Sequence, residues 1–255
     1  FYTSGRASNE AAFLWQLLAR QFGTNNLPDC SNMCHESSGV ALTDSMGIGK
    51  GTVRLEDFDH ADLIVIVGQN PGSNHPRMLS ALKSAKRAGA SILSVNPLLE
   101  TGMREFRHPQ SPRDLIGSGF KISDDHLDIK INGDMALFRA IGSIIVERNV
   151  HDLEFINEHT TGFAEYRKVA TEVDWALTES LTGHNRERVT QLADYFCRSK
   201  RTIICWAMGI TQHKNSVNTI REIMNVLLLK GDIGREGSGP CPVRGHSNVQ
   251  GDRTV

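Results

Sequence analysis

Cys34 and His35 place a thiol beside an imidazole in a polar, turn-rich stretch, Asn25 to Gly51, that also holds Cys30, Pro28 and several glycines and serines. That composition suits a loop carrying chemistry, followed by a short helix. As a nucleophile pair the two are poorly placed, because adjacent side chains rarely point so that one activates the other. Each also has a bland reading: a cysteine is commonly a small buried hydrophobe, and a lone histidine is commonly a polar residue with its hydrogen bonds met. Glycines carry the second chemical signal. Gly68, Gly72 and Gly209 follow apolar runs, and glycine loops between a strand and a helix N-terminus offer N–H groups and partial positive charge to phosphate. The same glycines serve equally well as tight strand-to-helix turns. GxGxxG is absent, which disfavours an ordinary Rossmann dehydrogenase.

The elements that would position these residues alternate. Asn9 to Phe22 has apolar residues at helical spacing and predicts an amphipathic helix. Ala61 to Gly68 is a short, β-branched run of the kind found in buried parallel strands. Arg77 to Ala88 predicts a helix capped by Gly89, and Ala90 to Val95 a second strand, completing a βαβ unit. Helices follow at Asp134–Glu147, Val189–Arg198 and Ser216–Lys230, with a strand at Arg201–Ala207. The fold class is therefore α/β: a doubly wound, mostly parallel sheet with helices on both faces, binding its ligand beyond the carboxyl ends of the strands. The loops after Val67, Val95 and Ala207 lie there.

In 255 residues, 28 Lys and Arg nearly cancel 29 Asp and Glu, so no basic footprint for nucleic acid is present. No apolar run approaches the roughly 20 residues that span a bilayer. Cys30, Cys34, Cys197, Cys205 and Cys241 form no CxxC and include an odd one. They fit reduced thiols of a cytoplasmic protein better than a disulfide framework, and none has iron–sulfur spacing. Internal repeats are not evident. The first residues, Phe1 to Gly5, lack a Met and read as the end of a strand, which predicts an internal fragment.

Several ordered motifs resemble the molybdopterin-dependent oxidoreductases of the formate dehydrogenase and dimethyl sulfoxide reductase superfamily. Ser31-Asn32-Met33-Cys34-His35 resembles the segment where formate dehydrogenases place selenocysteine or cysteine before histidine. Gly68-Gln69-Asn70-Pro71 with His75-Pro76 resembles the family's "NP…HP" loop, and Asn96-Pro97 its next strand end. Asn132-Gly133-Asp134 resembles "GTDxAL", Phe155 to Thr160 "FIxEHT", and Met208 to His213 "GMGxTQH". Leu229 to Gly239 resembles "LTGNIGRPGTG", and Pro242 to Gly251 "PLRGQNNVQG". The YdeP-type, formate dehydrogenase-like branch fits best.

The resemblance implies a bis(molybdopterin guanine dinucleotide) cofactor with Cys34 as the protein ligand to molybdenum, a role suited to a soft, strongly donating thiolate. It implies His35 as acid or base beside the metal and Arg244 as the fork that orients an anion such as formate. Gly68, Asn70, His75, Asn96, Asp134, Gly209, Gln212 and His213 would contact the cofactor, although Asp134 reads equally well as a helix cap. Two positions depart from the pattern: Asn96 where many relatives carry Asp, and His246 where formate dehydrogenases carry Gln. Residues 1–31 would end one α/β cofactor-binding domain, 32–242 form a second, and 243–255 return to the first. A 4Fe-4S cluster is expected in the full-length protein, with its ligands outside this chain. The partners would be a small-molecule substrate and an electron-transfer protein, without nucleic acid. The fragment alone would be inactive. The alternative is a non-catalytic nucleotide-binding or assembly fragment without metal chemistry.

Overall fold

The structure, a computed structural model, describes residues 1–112, 114 and 117–254. The chain opens with α1 (Asn9–Gln21), α2 (Cys30–Cys34) and α3 (Glu36–Met46), and a 3-10 turn (Glu56–His60) leads into β1 (Leu63–Val67). Then come α4 (Pro71–Asn74), α5 (Met78–Ala88), β2 (Ser91–Val95), α6 (Thr101–Arg104) and β3 (Asp125–Leu127). Five helices follow: α7 (Asp134–Glu147), α8 (Leu153–His159), α9 (Phe163–Thr171), α10 (Trp175–Thr182) and α11 (Arg186–Arg198). The last elements are β4 (Thr202–Trp206), α12 (Met208–Thr211), α13 (Ser216–Leu229), β5 (Gly239–Pro242) and α14 (Val249–Thr254).

The strands form one parallel sheet in the order β3-β2-β1-β4-β5. Its order reverses between β1 and β4, and a sheet wound outward in both directions from such a point leaves a crevice at the carboxyl ends of those two strands. Both faces are covered, and the alternation of side chains along β1 shows how. Leu63, Val65 and Val67 pack with residues of α3, α7, α11 and α13, whereas Ile64 and Ile66 pack on the other face against Leu79, Leu82 and Ala85 of α5. Every residue of β1 is buried, so no polar alternation is left to read. Each of these aliphatic side chains contributes about 1.5–3 kcal/mol on burial.

Local signals set the boundaries. Ser8 caps α1 by accepting from the Ala11 N–H, Asn185 caps α11 through the Arg188 N–H, and Gly89 ends α5 with φ of 113°. α7 is buried along most of its length because α9, α10, α11 and α13 surround it. Two features differ from the sequence expectation. The cysteine-bearing segment is helical, with Cys34 closing α2 and His35 leading into α3. In α1 the small residues Ala12 and Ala19 face inward, while Phe13, Leu14, Leu17 and Leu18 are exposed. The two ends of the chain meet: the Asn248 N–H donates to Gly5 O, the Thr3 hydroxyl to Asp252, and the Asn248 amide to Ala7 O. No helix is long and apolar enough to cross a membrane, among the described residues.

Candidate active site

The crevice at the strand-order reversal is built from two loops that nearly touch. Gly68, at the end of β1, has φ of 55°, and the Gly209 N–H donates to its carbonyl at 3.0 Å. A Cβ added at Gly209 would lie 2.6 Å from Gly68 Cα, and one at Gly68 would lie 2.7 Å from the Gly209 carbonyl carbon. Only glycine at both positions allows the β1 and β4 loops to cross so closely. His213 fixes the second loop through Gly209 O at 2.6 Å. Gln212 reaches from the end of α12 to Met33 O at 2.8 Å and ties this loop to the helix that carries Cys34.

Cys34, Gly68, Asn70, His75, Asn96 and Gly209 line a single cavity of about 550 Å³, together with Gln69, Glu100, Met208 and His246. The Cys34 thiol donates to Met208 Sδ at 3.5 Å. Burial pushes this thiol up from its usual range, Cys30 adds to the shift, and the Arg244 guanidinium opposes it. Arg244 sits between the lining residues Val243 and Gly245. Arg244 itself is not part of the cavity lining, and its charge acts on both Cys34 and His35. His75 is lowered by burial, and its Nδ1 contacts the Gln69 amide at 3.1 Å.

His35 lies behind this wall, 1% exposed, with both ring nitrogens engaged. Nδ1 is 3.0 Å from Ser38 Oγ and Nε2 is 3.1 Å from Val243 O. The Trp206 indole N–H donates to the same Ser38 oxygen at 2.9 Å. A carbonyl can only accept, so the neutral His35 ring carries its proton on Nε2 facing Val243 O, Nδ1 accepts from the Ser38 hydroxyl, and the Ser38 oxygen accepts from Trp206. Val243 is one residue from Arg244. Burial is the main cause holding His35 down to about 4, with Arg244 opposing a second positive charge, so the ring is neutral near pH 7.

Asp134, Gln212 and His213 are not part of the cavity lining. Asp134 begins α7 behind Gly133, which occupies the cap position, so its carboxylate does not perform the capping role. It is buried, and burial pushes it up to about 6. Near it, Asn215 contacts Met135, and Asn215 Oδ1 and Ser216 Oγ are buried without hydrogen-bond partners. Gly72 supports the site differently from a phosphate loop: it packs α4 on Gly102 of α6, where a Cβ would meet Gly102 Cα at 3.1 Å. Sequence reasoning missed Met208, Gln69, Asn74, Ser38 and Trp206. The first three stand inside or beside quoted motifs, whereas nothing local in sequence links Ser38 to a tryptophan 168 positions away.

A family model described as "Molybdopterin oxidoreductase" matches residues 1–253. An uncharacterized oxidoreductase of Mycobacterium tuberculosis H37Rv is 56% identical across the whole chain, which covers 34% of that protein. Protein YdeP of Escherichia coli K12 is 47% identical over the whole chain and 35% of its own length. Formate dehydrogenase H of the same organism is 32% identical over 98% of this chain and 33% of its own. Among solved structures, acetylene hydratase from Pelobacter acetylenicus shares the fold with a TM-score of 0.73 at 19% identity, covering 92% of this chain and 29% of that one. The chain thus spans about a third of the length of these curated relatives.

Proposed function

We propose, from the premise that this chain belongs to the molybdopterin oxidoreductase family, that it supplies the metal-ligating thiol and part of the cofactor cradle of an enzyme acting on a small substrate. The observation carrying this reading is the convergence of Cys34 with the Gly68–Gly209 crossing in one cavity at the strand-order reversal. The residues fit the cofactor. A thiol, two glycine-walled loops and carboxamides at Asn70 and Asn96 face one space. Beside the start of α7, Asn215 Oδ1 and Ser216 Oγ are buried without hydrogen-bond partners, polar groups of the kind a nucleotide would satisfy.

In this reading Cys34 holds molybdenum, and Gly68, Asn70, His75, Asn96, Asp134, Gly209, Gln212 and His213 hold or frame a bis(molybdopterin guanine dinucleotide). When bound, that group supplies a two-electron redox centre. Arg244 orients an anionic substrate, formate or a similar small molecule. His35, the acid or base of this reading, is neutral and behind the cavity wall with both ring nitrogens engaged, so it takes up a proton only when Nδ1 lets go of the Ser38 hydroxyl. The division at 31/32 and 242/243 assigns the ends of the chain to one cofactor domain and the middle to another. The rest of the full-length protein would carry a 4Fe-4S cluster and pass electrons to a partner in the cytoplasm.

The test is Cys34→Ser in the full-length protein, followed by X-ray absorption at the metal edge. Loss of one metal–sulfur contact, with pterin retained and turnover abolished, supports the ligand role. An unchanged metal–sulfur shell or normal turnover sinks it.

A further inference from the structure

Cys205 and Cys241 lie outside the cavity just described and form a second pair of sulfur groups. The register of β4 against β5 sets Cys205 directly opposite Cys241. Both side chains belong to the α5 face of the sheet, where Cys205 packs with Ile64, Ile66 and Ile203, and Cys241 packs against that cluster. Cys241 is near enough to act electrostatically on the Cys205 thiol. Opposed residues on neighbouring strands stand about 4.8 Å apart, within the roughly 4.4–6.8 Å between Cα atoms that a disulfide spans. Access differs between them. Cys205 is fully buried, whereas Cys241 is half-buried and lines a cavity of about 530 Å³ with Phe58, Asp59, Arg77 and Met78. A reachable thiol stands in front of one that only its neighbour can reach.

We propose that Cys205 and Cys241 are a dithiol site that closes to a reversible disulfide on reaction with a low-molecular-weight disulfide entering the Arg77-lined cavity. Arg77 and Asp59 offer a cation and an anion to the carboxylate and ammonium ends of an amino-acid-derived disulfide. Cys241 loses its proton and attacks one reagent sulfur. The reagent S–S bond breaks, and half of it leaves as a thiol after taking up a proton. Cys205 then loses its proton to attack the Cys241 sulfur and expels the second half as a thiol. The two protein thiols are oxidised by two electrons, and one reagent disulfide is reduced to two thiols. Cys205 reacts second because it is fully buried and only Cys241 lines the cavity that a reagent enters. The bond would form three residues before Arg244, on the strand that leads to it.

The test treats the folded full-length protein with oxidised glutathione, blocks remaining thiols with N-ethylmaleimide, and maps tryptic peptides by mass spectrometry. The expected product links the peptide 202–214 to the peptide 236–244 and is reversed by dithiothreitol. With Cys205→Ala, Cys241 should accumulate as the glutathione mixed disulfide; with Cys241→Ser, Cys205 should remain unmodified. The proposal is overturned if the linked peptides are missing in the parent protein, or if Cys205→Ala carries no glutathione on Cys241.

Discussion

Removing one hydroxyl should disturb the wall behind the cavity more than its size suggests. In Ser38→Ala, the Trp206 indole N–H loses its acceptor and His35 Nδ1 loses its donor, in a region where Ser38 and Trp206 are 0% exposed and His35 is 1% exposed. An orphaned buried polar group costs about 1–3 kcal/mol. The alanine methyl fills most of the vacated space, so the total should be roughly 2–4 kcal/mol with little added for a cavity. The assay is urea unfolding followed by circular dichroism, on the parent, Ser38→Ala, Trp206→Phe and the double variant. In the Trp206→Phe background the serine has only His35 left to satisfy, so its removal should cost less by about 1 kcal/mol or more, a coupling the cycle reads directly. A loss under about 0.5 kcal/mol for Ser38→Ala, or strict additivity in the cycle, would refute the shared hydrogen bond and the histidine tautomer that accompanies it.

Three further outcomes follow from separate contacts. Gly209→Ala pushes a Cβ to 2.6 Å from Gly68 Cα and should cost about 1–3 kcal/mol, seen as a lowered unfolding midpoint; an unchanged midpoint contradicts the close crossing. Arg188→Ala removes two hydrogen bonds to Asp125, at 2.7 and 2.8 Å, and one to His126 O, and should speed hydrogen exchange in β3 while leaving β1 protected; equal exchange in both proteins would count against this clamp. Asp232 is fully buried and raised to about 6 from 3.8, mainly by burial, so the native state holds a proton that the unfolded chain has released between those values. Its contribution to stability is therefore greatest below pH 3.8 and falls as pH rises through 6, by about 3 kcal/mol in all at about 1.4 kcal/mol per unit. The stability of the parent relative to Asp232→Asn should decline by roughly 2–2.5 kcal/mol of that from pH 4 to 7, and a flat difference would show that Arg235, whose guanidinium donates to Asp232 at 2.6 Å, holds the carboxylate ionised throughout.

Sequence alone revealed the parts whose signals are local. β1, β2 and β4 are continuous β-branched runs because both sheet faces are covered, and α7 and α13 carry long apolar periodicity. The edge strands escaped notice for physical reasons. β5 reads Gly-Pro-Cys-Pro, which has little strand propensity and is tolerated because it pairs on one side only, and β3 is three residues long and polar. Helices α8, α9 and α10 are short and largely exposed, so no clear stripe marks them. At the site, the motifs named Cys34, Gly68, Asn70, His75, Asn96 and Gly209, which the fold gathers in one cavity. The helical setting of Cys34, its sulfur contact with Met208 and the burial of His35 depend on the packing of α2 and α3 beneath the β4 loop, and no nearby residue announces them.

The measurement closest to the central claim is metal and pterin analysis of the full-length protein made in a host that synthesises the cofactor, by elemental mass spectrometry and fluorescence of the oxidised pterin. Molybdenum or tungsten recovered together with pterin is the predicted result. Protein from such a host that contains neither metal nor pterin would contradict the account and leave a nucleotide-binding module without metal chemistry.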